Sequence, residues 1–231
     1  MVLPESLKNP TIFINGIRID EPVTMLTDIL VSLVCFYAFF KLRRKKDPLG
    51  LSFYFRCFFL LMGISAFSGG VVGHGFAYAI SEYWKWVYWV LSMFAVAIGE
   101  RAAIKYSAGL TKPTYNKVFR WMNIIELAIF MIISLCTLEF LYVLIHSAYG
   151  ILLVTGTFYG YVYFNTRQKG SRLYLIGIAW SLLGSIIFLT QTGFGKWFNH
   201  LDISHILMSI TGWYFYKASL LIIEDPEYKN T

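Results

Sequence analysis

Seven long apolar runs dominate this chain and leave it few ways to fold. They lie at about 23–42, 51–79, 84–106, 117–138, 140–164, 172–192 and 201–223. Each comes near the ~20 residues a helix needs to cross a bilayer core. Lipid satisfies no backbone hydrogen bond, so each run must close its own bonds as a helix. Of the 231 residues 57% are hydrophobic and only 14% charged, more apolar surface than a water-soluble domain of this length hides. The expected fold is all-α: a polytopic membrane protein made of a single seven-transmembrane-helix bundle with short connections. Residues 1–22 are read as an N-terminal extramembrane segment, 23–223 as the membrane domain and 224–231 as a cytosolic tail.

The first 22 residues are polar, carry Pro4, Pro10 and Pro22, and lack the basic-then-apolar order of a signal peptide. The first helix is therefore expected to act as an uncleaved signal. Orientation follows from counting Lys and Arg by side. One side carries sixteen: Lys41, Arg43, Arg44, Lys45, Lys46, Arg56, Arg101, Lys105, Lys112, Lys117, Arg120, Arg167, Lys169, Arg172, Lys217 and Lys229. The other carries Lys8, Arg18, Lys85 and Lys196. This asymmetry predicts an N-terminus that is outside or luminal and a cytosolic C-terminus. The net charge of +7 then faces anionic headgroups, and no nucleic-acid partner is expected. Tyr83, Trp84, Trp86, Tyr88, Trp89, Trp197 and Phe198 read as interface anchors on the outer side. Cys35, Cys57 and Cys136 have no C-x-x-C spacing and read as small buried hydrophobes.

Within this apolar frame the segment Asn199-His200-Leu201-Asp202-Ile203-Ser204-His205 stands out. Ionisable groups at membrane depth are costly and usually mark a site. With the helices laid out in order, His74 falls near the outer end of helix two and His146 early in helix five, so all four histidines share one level. Asp202 and His205 are three apart and lie on one helical face, continued by Ser209. His200 is five before His205, off that face. Asn199 and Asp202 are both good N-cap residues, and a helix starting near Asp202 would leave His200 in the incoming loop. A zinc ion held by His74, His200 and His205 would keep a fourth position open, the mark of a catalytic zinc. Asp202 would then orient an imidazole or act as a base. Interfacial histidines also serve headgroups and water, so both readings stand at this stage.

Other intramembrane groups have plainer readings. His146 reads as a packing or hydrogen-bonding residue. Gly63, Ser65, Ser68, Gly69, Gly70, Gly73 and Gly75 make helix two narrow, suited to close helix approach. Glu100 and Arg101 are read as snorkelling or pairing near the inner end of helix three. Glu126 needs a partner in the bundle. Lys217 reads as a snorkelling lysine, since helix three has no Asp to serve as counter-ion to a Schiff base.

Gly73-His74-Gly75 and Asn199-His200-x-Asp202-x-x-His205, continued by Ile206-Leu207-Met208 and Gly212-Trp213-Tyr214, resemble the superfamily that joins alkaline ceramidases with the progestin and adipoQ receptors. The second motif is most similar to an uncharacterised branch with an N-H-x-D-x-x-H signature. The resemblance implies seven helices and a zinc held by one histidine from helix two and two from the start of helix seven. Gly70 stands where the ceramidases have Ser, and Leu201 where they have the first His of H-x-x-x-H. Their early acidic residue of helix three has no clear match, with Glu82 and Asp202 as the candidates.

Three functions are carried forward. The first is a ceramidase-like, zinc-dependent hydrolase of a lipid amide or ester, with His74, His200 and His205 on the metal, Asp202 accepting the proton and acyl chains among the aromatic side chains. The second is a non-catalytic receptor or lipid-binding protein with a structural metal. The third is a transporter with Glu100 and Glu126 on a polar path.

Overall fold

A computed structural model describes residues 10–42, 47 and 50–224. Lys8, Arg43, Arg44, Lys45, Lys46, Lys229 and the tail from 225 lie outside the described residues. The chain opens with an antiparallel hairpin, β1 (Thr11–Ile14) and β2 (Ile17–Asp20). Asn15 and Gly16 both take positive φ, 52° and 80°, as a tight hairpin turn of this kind requires. Seven helices follow: α1 (Pro22–Leu42), α2 (Leu51–Gly75), α3 (Lys85–Tyr106), α4 (Pro113–Thr137), α5 (Phe140–Thr166), α6 (Lys169–Thr190) and α7 (His200–Glu224). All seven are long and apolar enough to cross a membrane. Proline starts both α1 and α4, where its missing N–H costs nothing and its fixed φ suits the first turn.

Two of these helices are not α-helical throughout. The last part of α2, Gly69–Gly75, and the middle of α5, Tyr149–Thr155, are π-helical. A π turn takes one more residue than an α turn and so re-aims the side chains beyond it. Such turns are uncommon and gather at functional sites.

Each helix packs on its neighbour in sequence, and α7 closes against α1. The centre belongs to α3 and α7, each 56% buried over its apolar window, whereas α4 and α6 are 11% and 17% buried and present Ile125, Ile129, Ile132, Leu182 and Leu189 outward. Most buried apolar side chains form one core that includes Phe55, Phe59, Ile104, Val162 and Ile222, with a smaller second cluster at Trp89, Met93 and Val143. At the end away from the hairpin Tyr174 stacks between Tyr159, at 3.9 Å, and Phe215, at 4.1 Å, locking α5, α6 and α7 together. Stacked aromatic pairs add about 0.5–1.5 kcal/mol beyond their area.

Some details depart from expectation. Tyr83, Trp84 and Trp197 are exposed, as anchors should be, but Trp89 turns inward onto Met93 and Val143. The cysteines are unpaired but not uniformly hidden: Cys35 is buried and Cys136 exposed. Glu100 is fully buried and does not snorkel. Lys217 lies over the rings of Trp213 and Tyr216 at 5.2 and 5.8 Å, which gives its charge a partner without a cofactor.

Candidate metal centre

The hairpin end of the bundle brings together Asp28 of α1, His74 of α2 and His205 of α7. One ligand atom from each lies within 4.8 Å of the others. Asp28 divides its carboxylate between the two rings. Oδ1 is 3.5 Å from His205 Nε2, and Oδ2 is 4.0 Å from His74 Nε2. Neither distance is a hydrogen bond. Ligands bound about 2.1 Å from one tetrahedral ion sit roughly 3.4 Å apart, close to the shorter of these separations.

The outer nitrogens of both imidazoles are already engaged. Glu21, the residue before α1, receives His74 Nδ1–H through Oε2. Thr27 gives its single hydroxyl proton to the Thr24 carbonyl at 3.0 Å. Its oxygen is therefore an acceptor for His205 Nδ1–H at 3.2 Å. Each ring so fixed carries a proton on Nδ1 and turns its Nε2 toward Asp28. Imidazoles that ligate metals are held in this way, by a carboxylate or another acceptor on the far nitrogen. The donor set of two imidazole nitrogens and one carboxylate fits a three-ligand zinc site.

Local backbone builds this geometry. Glu21 has a φ of 44°, a conformation that costs a non-glycine residue of order 1–3 kcal/mol and tends to persist where function demands it. His74 sits in the π segment of α2. Gly70 in that segment touches α1: a Cβ there would lie 2.9 Å from Asp28 Cβ and 3.0 Å from the Met25 carbonyl oxygen. Only a residue without a side chain lets α1 approach so closely. The hairpin covers the site from outside, with Tyr78 donating to the Arg18 carbonyl at 3.0 Å and the Arg18 guanidinium 4.9 Å above the Tyr78 ring. His74 keeps 24% of its side chain exposed, against 10% each for Asp28 and His205. The cluster is therefore reached from the His74 side.

Of the residues singled out from sequence, His74 and His205 meet, but His200 does not join them. The helix does not start near Asp202. Instead α7 begins at His200, because Asn199 is the N-cap: its Oδ1 accepts Leu201 N–H at 2.7 Å. Asp202 Oδ2 reaches back to Asn199 N–H at 2.6 Å, which completes a reciprocal capping box. His200 is thereby fixed in the first turn, where its ring packs edge-on against Phe188 of α6 at 5.8 Å. Asp202 is wholly buried, and only one of its oxygens serves the cap. The other, Oδ1, makes no hydrogen bond.

Asp28 takes the place intended for His200, and the sequence reading passed over it. The available signal was a lone acidic residue inside the first apolar run. Glu21 gave less warning, since an acid just before a helix ordinarily reads as a cap.

The chain belongs to a family of unknown function, DUF6962, whose model matches residues 23–223. No curated protein and no solved structure matches it.

Proposed function

We propose that this protein is a membrane-embedded, zinc-dependent hydrolase of a lipid amide or ester, ceramidase-like in chemistry, with its metal held by His74, His205 and Asp28. The observation that carries this reading is the convergence of two imidazoles, each held at Nδ1, and a carboxylate on one point. Three protein ligands leave a position for water, as in catalytic zinc sites. A zinc ion bound there would lower the pKa of its water toward ~7 and polarise a carbonyl. Glu21 and Thr27 hold the two rings in the ligating tautomer. Asp202 lies on the His205 face of α7, within electrostatic reach of His74. Its unbonded oxygen would accept the proton that water gives up on attacking the carbonyl, then return it to the departing amine or alcohol.

The orientation proposed is N-terminus outside or luminal and C-terminus cytosolic, so the metal centre lies toward the outer leaflet. A feature of the opposite end supports it. A cleft of about 600 Å³ between α3 and α4 is lined by Arg101, Lys117, Arg120 and Trp121, suited to the anionic headgroups of a cytosolic leaflet. The partner is a lipid presented from within the bilayer.

The test is metal analysis of purified, tag-free protein beside His74→Ala and His205→Ala, with turnover assayed on a panel of ceramides and phospholipids. Zinc in the wild type, lost in both variants together with turnover, is the expected result. Equal zinc in all three sinks the site. Zinc without turnover of any lipid replaces the hydrolase with a receptor or lipid-binding protein. Iron in place of zinc redirects the chemistry, because two histidines and a carboxylate also hold non-haem iron.

A further inference from the structure

A second cluster of ligating side chains lies between α3, α4 and α5, apart from the site above. It comprises Glu100, Glu126 and His146, with one ligand atom of each within 4.8 Å of the others. His146 is completely buried. Its Nε2 lies 3.0 Å from the Met93 carbonyl oxygen. A carbonyl can only accept, so Nε2 carries a proton and Nδ1 is the nitrogen turned into the cluster. Nδ1 lies 2.7 Å from Glu126 Oε1, a contact that a shared proton or a metal ion would satisfy.

The carboxylates add to the demand. Glu100 is also wholly buried. Its Oε2 accepts Asn123 Nδ2–H at 3.2 Å, while Oε1 has no partner. Glu126 Oε2 is likewise buried and unpartnered. The nearest cation in sequence, Arg101, donates to Asn123 Oδ1 at 2.6 Å instead of to a carboxylate. That bond turns the Asn123 amide toward Glu100 and fixes the acid from behind, as outer partners of metal ligands do. Space is cleared for the Glu100 carboxylate by Gly150 in the π segment of α5, where a Cβ would lie 2.5 Å from Oε1.

From this geometry we infer that Glu100, Glu126 and His146 form a second metal site, for a divalent cation of borderline hardness such as zinc or manganese. The oxygens left over point beyond a single shared proton. With His146 Nδ1 and Glu126 Oε1 satisfying each other, Glu100 Oε1 and Glu126 Oε2 still have no partner, and a buried polar group left so is expensive. One imidazole and two carboxylates suit zinc or manganese better than a soft or a purely oxygen-seeking ion.

The experiment counts zinc in tag-free protein after chelator stripping, zinc reloading and dialysis. The wild type is expected to retain two equivalents. His74→Ala/His205→Ala should retain one, as should Glu100→Gln alone, and adding Glu126→Gln to the histidine pair should leave none. A single wild-type equivalent that the histidine pair abolishes overturns the second site and leaves the first standing. A second equivalent that survives both glutamate substitutions overturns it as well. Should the glutamate variants fail to elute as monodisperse protein, the count decides with the wild type and the histidine pair alone: two against one supports the site, and one against none overturns it.

Discussion

The two clusters use the same residue types but tie off opposite imidazole nitrogens. At the hairpin end His74 and His205 are held by Nδ1 and turn Nε2 to Asp28; between α3, α4 and α5 His146 is held by Nε2 and turns Nδ1 to Glu126. The first is rich in nitrogen and has an exposed edge at His74. The second is rich in carboxylate and deeper, with His146 and Glu100 fully buried and Glu126 11% exposed. Both lie beside a π-helical segment whose glycine admits a carboxylate-bearing side chain from a neighbouring helix. Access is what separates them. A metal with an exposed edge can meet a substrate, whereas a deeper one mainly holds helices together and contributes to stability by binding only the folded state.

The substitution that separates them most sharply is Asp28→Asn. It keeps the volume on Gly70 and removes the charge shared by His74 and His205. The hairpin-end zinc equivalent and lipid turnover should both be lost, while zinc at Glu100, Glu126 and His146 stays. Loss of both equivalents would mean that the two clusters are not independent. Next in size is Asp202→Asn. Asparagine can still accept the Asn199 N–H, so thermal unfolding should change little, but a residue that moves the proton contributes typically 10²–10⁴-fold to rate. A drop of that order with zinc retained sharpens the catalytic reading of the first cluster. Full activity would reduce Asp202 to a helix cap.

Which of these residues could be read in advance follows from the range of the forces that place them. The seven spans were legible because burial in lipid acts on every residue of a run, and hydropathy reports that directly. His74 and His205 were legible because a polar group at membrane depth is costly wherever it packs. Asp28 obeys the same rule, yet its role depends on α1 lying against Gly70 and α7, contacts between distant parts of the chain that no local pattern records. The hairpin is local, set by Asn15-Gly16 between two four-residue strands, but strands that short and without alternating burial leave little pattern beyond the turn itself. Glu100, Glu126 and His146 each stand out as polar groups in apolar runs, but their meeting depends on how α3, α4 and α5 pack.

A smaller effect is expected at Glu21. Glu21→Gln keeps a hydrogen bond to His74 Nδ1 but loses the charge that raises the basicity of the ring. Outer partners of this kind are worth 10–100-fold in metal affinity. Competition with a chromogenic chelator should show that loss at the hairpin-end site only. An unchanged affinity would mean that the strained Glu21 backbone serves the hairpin and not the metal.

The least effect belongs to His200, and it bears directly on the sequence pattern. N-H-x-D-x-x-H invites the view that both histidines ligate, yet the pattern divides into two jobs once Asn199 caps the helix. Asn199 and Asp202 form the capping box, and His205, one turn further in, meets Asp28 and His74. His200 is left to pack on Phe188. His200→Ala should therefore leave zinc content at wild type and lower stability by no more than about 1 kcal/mol, the scale of an aromatic edge contact. Loss of the hairpin-end zinc in this variant would restore the loop geometry that the sequence suggested and displace Asp28 as the third ligand.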